Sequence, residues 1–397
     1  MMVLALALAA ILVLWLGVLL AFAGPLAARW REPMLRRPVL IIESDDWGAG
    51  PLAQADALNR LSAMLQRIRD GSGHPAVMTL GVVLEVPDGT RIAATGCTAY
   101  HALTLADARF DTVREAMQAG IEAGVFSPQL HGQCHYWPSA LMAAAQTDAG
   151  VREWLTAPEP AASEDLPSPL QSRWVDASNL PSHALAPDAI EQAALAEGAA
   201  YQALFGGVPQ VAVATTFVWN DAVEAAWAHA GVEVIITPGR RATCRNAAGQ
   251  PGCVDATTLT GERSLAGQTY LVRDVYFEPA LGHAPQRMVA GLQARVRQGR
   301  PCLVETHRFN FLQASDASLG TLEAGLSAAL AAYPTLRFIP PLELVHAMKT
   351  RDPAWVETRF KPRLAAWCAR LEEIPRFRRV AWLSGLALPL AWLEHAA

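Results

Sequence analysis

Residues 38–48 read PVLIIESDDWG, so that two adjacent carboxylates, Asp45 and Asp46, directly follow a short aliphatic run. The run has the length and composition of a buried strand. Side chains at the carboxyl end of such a strand reach the functional edge of a parallel sheet or barrel. Adjacent buried carboxylates are unfavourable unless a cation or a reaction uses them, although the pair could simply cap the helix that follows.

Short apolar runs of the same kind recur along the chain and alternate with longer helical patterns. This alternation is typical of β/α units around a parallel sheet or barrel. Residues 156–186, rich in Pro, Ser, Ala and acidic residues, interrupt it and are expected to form a long loop at the rim. The predicted strands are 38–43, 76–84, 125–130, 211–217, 232–237, 269–276, 302–305 and 337–339.

A pair of histidines follows another predicted strand, in SPQLHGQCH (residues 127–135). His131 and His135 are four residues apart, so their imidazoles meet on one side of a turn or helix. With a carboxylate from a different strand they form a three-ligand set that leaves positions open for water and substrate. Cys134 lies between them and is interpreted as a packing residue.

A third motif, PCLVETHRFN (residues 301–310), ends a late strand in His307. A histidine at the rim of the same sheet edge can donate a proton to a leaving group. Considered alone, His307 would more often be an ordinary surface histidine. Its place after a strand, which the Asp pair and the His pair share, favours one common site.

An Asp pair after the first strand, an H-x-x-x-H motif after a later one and a late strand ending in histidine together resemble a known family. It is the polysaccharide deacetylase (NodB-homology) family, also called carbohydrate esterase family four. The resemblance covers about residues 38–348 and implies a distorted β/α barrel of about seven to eight strands. The strings SDDWG, LHGQCH, RDVYFEP and ETHRFN are similar to a divergent branch associated with bacterial surface-polysaccharide loci.

This resemblance implies a role for each motif residue. Asp45 is implied as the general base and His307 as the general acid. Asp46, His131 and His135 are implied as the ligands of a divalent metal, most often zinc. The implied activity is hydrolytic N-deacetylation of an amino sugar, in a polysaccharide or in a lipid-linked glycan precursor.

The sequence departs from the family pattern in two places. Gly132 stands where the family commonly has a Ser or Thr whose hydroxyl steadies the loop. The R-x-x-P-Y motif, which carries the family's arginine, is not recognisable, and residues 215–220 stand in its place. Arg273 or Arg308 could replace the arginine that orients the base. The candidates for orienting the base or contacting substrate are Trp47, Arg273, Arg308 and Asn310.

Two other functions remain open at this stage. A glycoside hydrolase on a related β/α barrel would need two carboxylates roughly 5 to 9.5 Å apart. Glu43, Glu278 and Glu305 lie near predicted strand ends and would have to supply them, which leaves the histidine pair unexplained. The other function is that of a membrane-tethered protein that binds carbohydrate without catalysis.

The N-terminal residues 1–28 contain no charged side chain. As a helix they would rise roughly 40 Å, more than the ~30 Å of hydrocarbon in a bilayer. We expect a transmembrane anchor; the alternative is a cleaved signal peptide with residues 21–23 as its A-x-A site. Basic residues follow the run and none precedes it, which predicts that the body lies in the cytoplasm. Together with the resemblance to a bacterial branch, this implies a single-pass protein of the bacterial inner membrane. These basic residues are Arg29, Arg31, Arg36 and Arg37.

The C-terminal residues 349–397 are expected to form an amphipathic tail. In it, Arg376, Arg378 and Arg379 lead into an apolar stretch, 380–393, that is too short to span a bilayer. This basic, Trp-containing pattern favours an interfacial segment that contacts anionic membrane lipid. The alternative is an ordinary helix that packs on the body of the protein.

Composition excludes one class of partner and provides one test of topology. The 397 residues carry a net charge of −5 with a pI near 6.1, which is not the basic excess that nucleic-acid binding requires. Among the six cysteines, Cys244 and Cys253 bracket a polar loop. We expect free thiols in a cytoplasmic body, and a disulfide between this pair in an exported one.

Overall fold

The structure is a computed structural model that describes residues 2–312 and 315–396. The strands are β1 (Val39–Gly48), β2 (Met78–Val83), β3 (Glu85–Pro87), β4 (Ala102–Thr104), β5 (Phe126–Leu130), β6 (Val175–Asp176), β7 (His183–Ala184), β8 (Val211–Val213), β9 (Val234–Thr237), β10 (Arg240–Arg245), β11 (Pro251–Thr257), β12 (Thr269–Val272), β13 (Val275–Tyr276), β14 (Cys302–His307) and β15 (Arg337–Phe338). The helices are α1 (Met2–Ala21), α2 (Ala23–Arg31), α3 (Gln54–Arg67), α4 (Gly89–Ala94), α5 (Asp111–Glu122), α6 (Pro138–Thr147), α7 (Ala149–Leu155), α8 (Pro187–Phe205), α9 (Asp221–His229), α10 (Pro285–Arg297), α11 (Phe309–Leu312), α12 (Ser315–Ala332), α13 (Pro341–Thr350), α14 (Phe360–Leu371), α15 (Pro375–Leu383) and α16 (Ala387–Ala396).

The main sheet is a curled, parallel half-barrel. Eight strands follow one another in the order β12-β9-β8-β5-β2-β1-β14-β13, and β15 pairs in addition with the start of β1. Helices surround the curl, so the predicted α/β fold with a β/α barrel is confirmed. Because all neighbours in this order are parallel, the carboxyl ends of the strands meet at one mouth.

One predicted strand, 269–276, is two strands in the structure, and the prediction of a single strand is wrong. Its halves, β12 and β13, lie at opposite ends of the sheet order. Only Arg273 and Asp274 join them, and the three Cα steps from Val272 to Val275 span at most about 11 Å. The chain therefore crosses from one edge of the sheet to the other, and this crossing almost closes the barrel.

The first strand is buried on both faces, as its continuous apolar run predicts. Leu40 and Ile42 belong to the core between the sheet and the surrounding helices. Val39 and Ile41 face the inside of the curl, in a cluster that includes side chains of β8, β9, β12, β14 and α13. Since side chains alternate along a strand, Glu43 continues this inner face toward the mouth.

The N-terminal and C-terminal helices pack together. Trp15 of α1 donates to the carbonyl of Ser384 (2.8 Å), and the rings of Phe22 and Phe377 are 5.5 Å apart. Most of α1 is exposed, with a mean hydropathy of 3.0, so it is long and apolar enough to cross a membrane. A signal sequence at the start of a chain would pass the same test.

A buried ion pair ties α2 to the base of the barrel. Glu32, just after α2, accepts two hydrogen bonds from Arg300 (2.6 and 2.8 Å), which precedes β14. The amide of Leu35 also donates to the carbonyl of Gly299 (2.8 Å). The segment after α1 is therefore fixed at the end of the barrel opposite the mouth.

The antiparallel hairpin of β10 and β11 carries a disulfide between Cys244 and Cys253. The expectation that these two residues are free thiols is therefore wrong, and the pairing is the one expected for an exported body. The thiols of Cys97, Cys134 and Cys302 are free, as is that of Cys368.

Candidate active site

An irregularity in β1 brings its two carboxylates to the same place. Adjacent residues of a regular strand point to opposite faces. The register of β1 against β2 shifts between Ser44 and Trp47, and Asp46 has a positive φ of 74°. As in a β-bulge, this shift redirects a side chain, so Asp45 and Asp46 both line one cavity at the mouth.

Asp46, His131 and His135 form a compact, buried cluster whose ligand atoms lie within 4.8 Å of one another. The Oδ1 atom of Asp46 is 3.3 Å from Nε2 of His131 and 3.1 Å from Nε2 of His135. Nδ1 of His131 lies 3.0 Å from the carbonyl of Val213, so a neutral ring carries its proton there and turns a lone pair toward Asp46. Acceptors that face one another in this way suit a cation between them, so these residues fit a divalent metal.

Protons compete with a metal for this cluster. Burial by itself lowers the pKa of His131, but the carboxylates of Asp45 and Asp46 outweigh it and raise that pKa above its usual value. Burial raises the pKa of Asp46, and the facing imidazoles outweigh it and hold that pKa well below its usual value. Because ligands bind metal in their deprotonated forms, we expect affinity to fall as pH falls.

The loop that carries the histidines is held by buried side chains instead of a loop hydroxyl. The amide of Gln133 donates to Glu197 (2.9 Å), and its side chain donates to Glu85 (2.7 Å). Arg173 lies 3.2 Å from the sulfur of Cys134, and burial raises the pKa of that thiol to about 12. Cys134 therefore stays protonated and packs in the loop.

Arg273, at the crossing between β12 and β13, binds the first carboxylate. Its Nη2 donates to Oδ2 of Asp45 (2.5 Å) and lies 3.4 Å from Glu305. Burial raises the pKa of Asp45, but Arg273 and the nearby histidines outweigh it and leave that pKa below its usual value. Of the two arginines that the sequence offered, Arg273 is therefore the one beside the Asp pair.

His307 has a carboxylate partner that the deacetylase interpretation of the sequence did not use. Its Nδ1 lies 2.6 Å from Oε1 of Glu278. Burial lowers the pKa of His307, but the bond to Glu278, with smaller contributions from Asp46 and Asp45, raises it to about 10. The sequence signals for Glu278 were its place in the string RDVYFEP and its position near the end of a predicted strand.

The Asp pair, the His pair, Arg273 and His307 line one cavity of about 210 Å³ at the mouth of the barrel. A larger groove of about 700 Å³ lies at the amino ends of the strands and contains none of them. Six lining residues were not singled out from the sequence: Glu164 and Gln171 come from the long rim loop, whereas Thr216, Phe217, Tyr276 and Phe309 lie in segments whose chemistry pointed to other residues. The cavity is lined by Asp45, Asp46, His131, His135, Glu164, Gln171, Thr216, Phe217, Arg273, Tyr276, His307 and Phe309.

Three of the residues that the sequence suggested for contacting substrate or orienting the base are not among the described residues that line this cavity. Trp47 is fully buried and donates to Ser44 (2.8 Å). Asn310 is also buried, and it donates to the carboxylate of Glu278 and to the carbonyl of His307. Arg308 binds Glu164 (2.6 Å). Trp47 and Asn310 therefore lie behind the cavity, and a role for them in contacting substrate or orienting the base stays a prediction.

The carboxylates that a glycoside hydrolase would need are also placed behind the cavity. Glu43 is fully buried and accepts from Gln129 (2.7 Å), and burial raises its pKa to about 7. Glu278 is bound to His307, and Glu305 lies beside Arg273. Among the described residues, none of the three glutamates lines the cavity, so the geometry does not favour that alternative.

No protein-family model matches the chain, and no curated protein matches it. It is similar to a family 4 carbohydrate esterase from Streptomyces lividans (11% identity, 76% of this chain, 91% of that one, TM-score 0.35). It is similar to a family 4 acetyl xylan esterase from Clostridium thermocellum (11% identity, 79% and 92%, TM-score 0.36). A GH57-type branching enzyme from Pyrococcus horikoshii is similar as well (10% identity, 78% and 70%, TM-score 0.42).

These similarities are too low to assign an activity. The assignment of function therefore depends on the geometry of the site.

We expect the purified full chain to bind about one divalent ion, and His135→Ala to lose it under competition with a chelator. Removing a direct ligand should cost more than the roughly 10- to 100-fold seen for residues that only support ligands. His229→Ala, at an exposed histidine outside the cavity, is the matched control. Full occupancy in His135→Ala would show that the metal site is elsewhere.

The bond between Glu278 and His307 predicts a pH effect on turnover. If His307 acts as a proton donor, activity is lost as pH rises through its pKa, which Glu278 raises to about 10. Glu278→Gln removes the charge and should move the alkaline limb of kcat/KM toward about 6.5, the ordinary histidine value. Glu159→Gln, at an exposed position, should leave the profile unchanged. An unmoved limb in Glu278→Gln would exclude His307 as the titrating acid.

Proposed function

We propose that this chain is a metal-dependent hydrolase that removes an acyl group, most simply acetyl, from the nitrogen of an amino sugar in a glycan. One observation carries the proposal: a buried Asp-His-His cluster shares a small cavity with a carboxylate and a histidine suited to move protons. The substrate would be a polysaccharide or a lipid-linked glycan precursor.

Asp46, His131 and His135 would hold the ion. Two imidazoles and one carboxylate are the ligand set of many catalytic zinc sites, so Zn²⁺ is the ion we expect. A bound ion would supply a Lewis acid for the amide carbonyl and would lower the pKa of water from about 15.7 toward about 7.

Asp45 would act as the general base. Its Oδ2 is occupied by Arg273, whereas its Oδ1 has no hydrogen-bond partner among the described residues. Oδ1 is thus free to accept a proton from the attacking water. Arg273 keeps the carboxylate ionised beside Asp46, whose charge would otherwise raise the pKa of Asp45.

His307 would act as the general acid. Glu278 binds Nδ1, which leaves Nε2 to donate a proton to the departing nitrogen. The water oxygen forms a bond to the carbonyl carbon, the C–N bond breaks, and the nitrogen takes the proton from Nε2. The products are a free amino sugar and a carboxylic acid, and the proton on Asp45 restores His307 through solvent.

The division of roles within the Asp pair is testable by activity and metal content together. Asp45→Asn should keep its metal and lose at least about 10²- to 10⁴-fold in kcat on an N-acetylated amino sugar, as loss of a general base does. Asp46→Asn should lose both metal and activity. The matched control is Asp165→Asn, at an exposed carboxylate. Equal metal loss in the two variants, or cleavage of glycosidic bonds by the metal-free chain, would contradict the proposal.

The same proposal includes a location: α1 stays attached and anchors the body on the outer side of the membrane. Cleavage after residues 21–23 would remove Trp15 and Phe22, which pack against the C-terminal helices. The bond between Cys244 and Cys253 supports an oxidising compartment. The arginines after α1 favour the opposite side, but a structural disulfide is rare in the reducing cytoplasm, so the bond favours the outer side.

A topology experiment decides on which side of the membrane the body of the protein lies. A reporter fused after Ala397 should give the signal of an exported protein, and the membrane-bound chain should retain its N-terminal helix by mass spectrometry. Rapid thiol labelling of the denatured protein should leave Cys244 and Cys253 unmodified until a reductant is added. A cytoplasmic reporter signal with both thiols reactive would restore the orientation that the arginines predict.

A further inference from the structure

A segment of the long rim loop, residues 163–173, crosses the mouth of the barrel. One end is fixed where Glu164 binds Arg308 (2.6 Å), directly after β14. At the other end, the amide of Arg173 donates to Thr215 (2.9 Å), just after β8. Since β5, β2 and β1 lie between β8 and β14 in the sheet, the segment passes over the strands that carry the Asp pair and precede the His pair.

The crossing segment is packed and hydrogen-bonded along its length. Leu166 and Leu170 are buried in an apolar cluster that includes Tyr136, next to the metal-binding loop. The side chain of Gln171 donates to the carbonyl of Leu166 (2.6 Å). Ser172 is bound by Arg245 (2.8 Å). The segment is therefore a fixed wall of the cavity.

This wall leaves little room above the reacting groups. Asp45, Asp46, His131 and His135 are each 1–4% exposed, so substrate reaches them only through the cavity. Its volume of about 210 Å³ is below the roughly 300–1,000 Å³ of pockets that take drug-sized ligands. That volume is of the order of one acylated sugar ring, so neighbouring rings of a chain would have to lie outside the cavity, where residues 163–173 occupy one side.

The lining also favours an uncharged sugar. Arg273, which lines the cavity, and Arg308, which lies behind Glu164, are each paired with a carboxylate. The charges of both guanidinium groups are thus balanced within the protein, which favours a sugar without a carboxylate, sulfate or phosphate group of its own. Phe217, Tyr276 and Phe309 line the cavity as well, and aromatic surfaces of this kind suit the apolar face of a neutral sugar ring.

We infer that the site takes one neutral, acylated amino sugar, free or at the end of a glycan chain, and rejects the same sugar inside a chain. A sugar inside a chain needs two open sides for its neighbours, and residues 163–173 close one of them. This inference rests on the proposed function and names its substrate class. Glu164 and Gln171 are the residues that would set this specificity.

The test uses the metal-loaded full chain and a panel of neutral N-acetylated amino sugars as monomers, followed by oligomers of the best substrate. Tandem mass spectrometry locates each free amine along the oligomer. We expect acetate release from the monomer and, in every oligomer, from a terminal unit alone. The proportion of product modified at internal units should be undetectable in the wild type.

Substitutions within residues 163–173 provide a second test of the inference. Glu164→Ala and, separately, Gln171→Ala should allow internal units to be deacetylated while terminal units still react. Gln171→Ala keeps the test valid if the unpaired, buried Arg308 prevents Glu164→Ala from folding. Asp165→Ala, one residue along and exposed, should retain the terminal pattern.

The outcomes separate this inference from the proposed function. Deacetylation of internal units by the wild type, or of oligomers but no monomer, would overturn the inference and leave the proposed function in place. An unchanged terminal pattern in a folded, active Glu164→Ala or Gln171→Ala variant would overturn the role of the wall. No release from any sugar by metal-loaded enzyme would contradict the proposed function itself, and this inference with it.

Discussion

The ion pair between Arg273 and Asp45 links the closure of the barrel to the chemistry of its mouth. Both side chains are 1% exposed, so each loses its hydration, and good geometry with further hydrogen bonds must compensate. Arg273 lies on the two-residue crossing that joins the two ends of the sheet, and Asp45 lies near the carboxyl end of β1. A change that displaced this crossing would therefore also change the charge and direction of the base.

The ion pair between Arg273 and Asp45 also determines which carboxyl groups on the inner face of β1 are ionised. Val39 and Ile41 fill the base of the curl, and the carboxyls of Glu43 and Asp45 follow toward the mouth. One arginine cannot fully offset two buried carboxylates and Asp46 beside them. Burial raises the pKa of Glu43 to about 7, whereas Asp45, in direct contact with Arg273, stays ionised. The fold thus concentrates negative charge at the reacting end of the strand.

The sequence predicts those parts of the site that are local. The Asp pair, the His pair and His307 each follow a strand, and parallel strands bring such residues to one mouth, as the structure shows. Partners that meet only in three dimensions were not predictable: Glu278 is far from His307 in the chain, and Glu164 belongs to a loop without a pattern. The split of strand 269–276 was missed because only two charged residues, Arg273 and Asp274, separate its apolar halves, and a single strand can accommodate such a pair.

The attachment of α2 to the base of the barrel bears on how far from a membrane the mouth of the barrel lies. With α1 in a bilayer, Glu32 and Arg300 hold the base of the barrel next to the lipid surface. The ten residues of β1 then separate base from mouth by roughly 33 Å at about 3.3 Å per residue. Under the proposed anchoring, the opening would face away from the membrane, and a sugar joined directly to a lipid headgroup would be out of range. The far end of a polysaccharide or of a lipid-linked glycan would reach it.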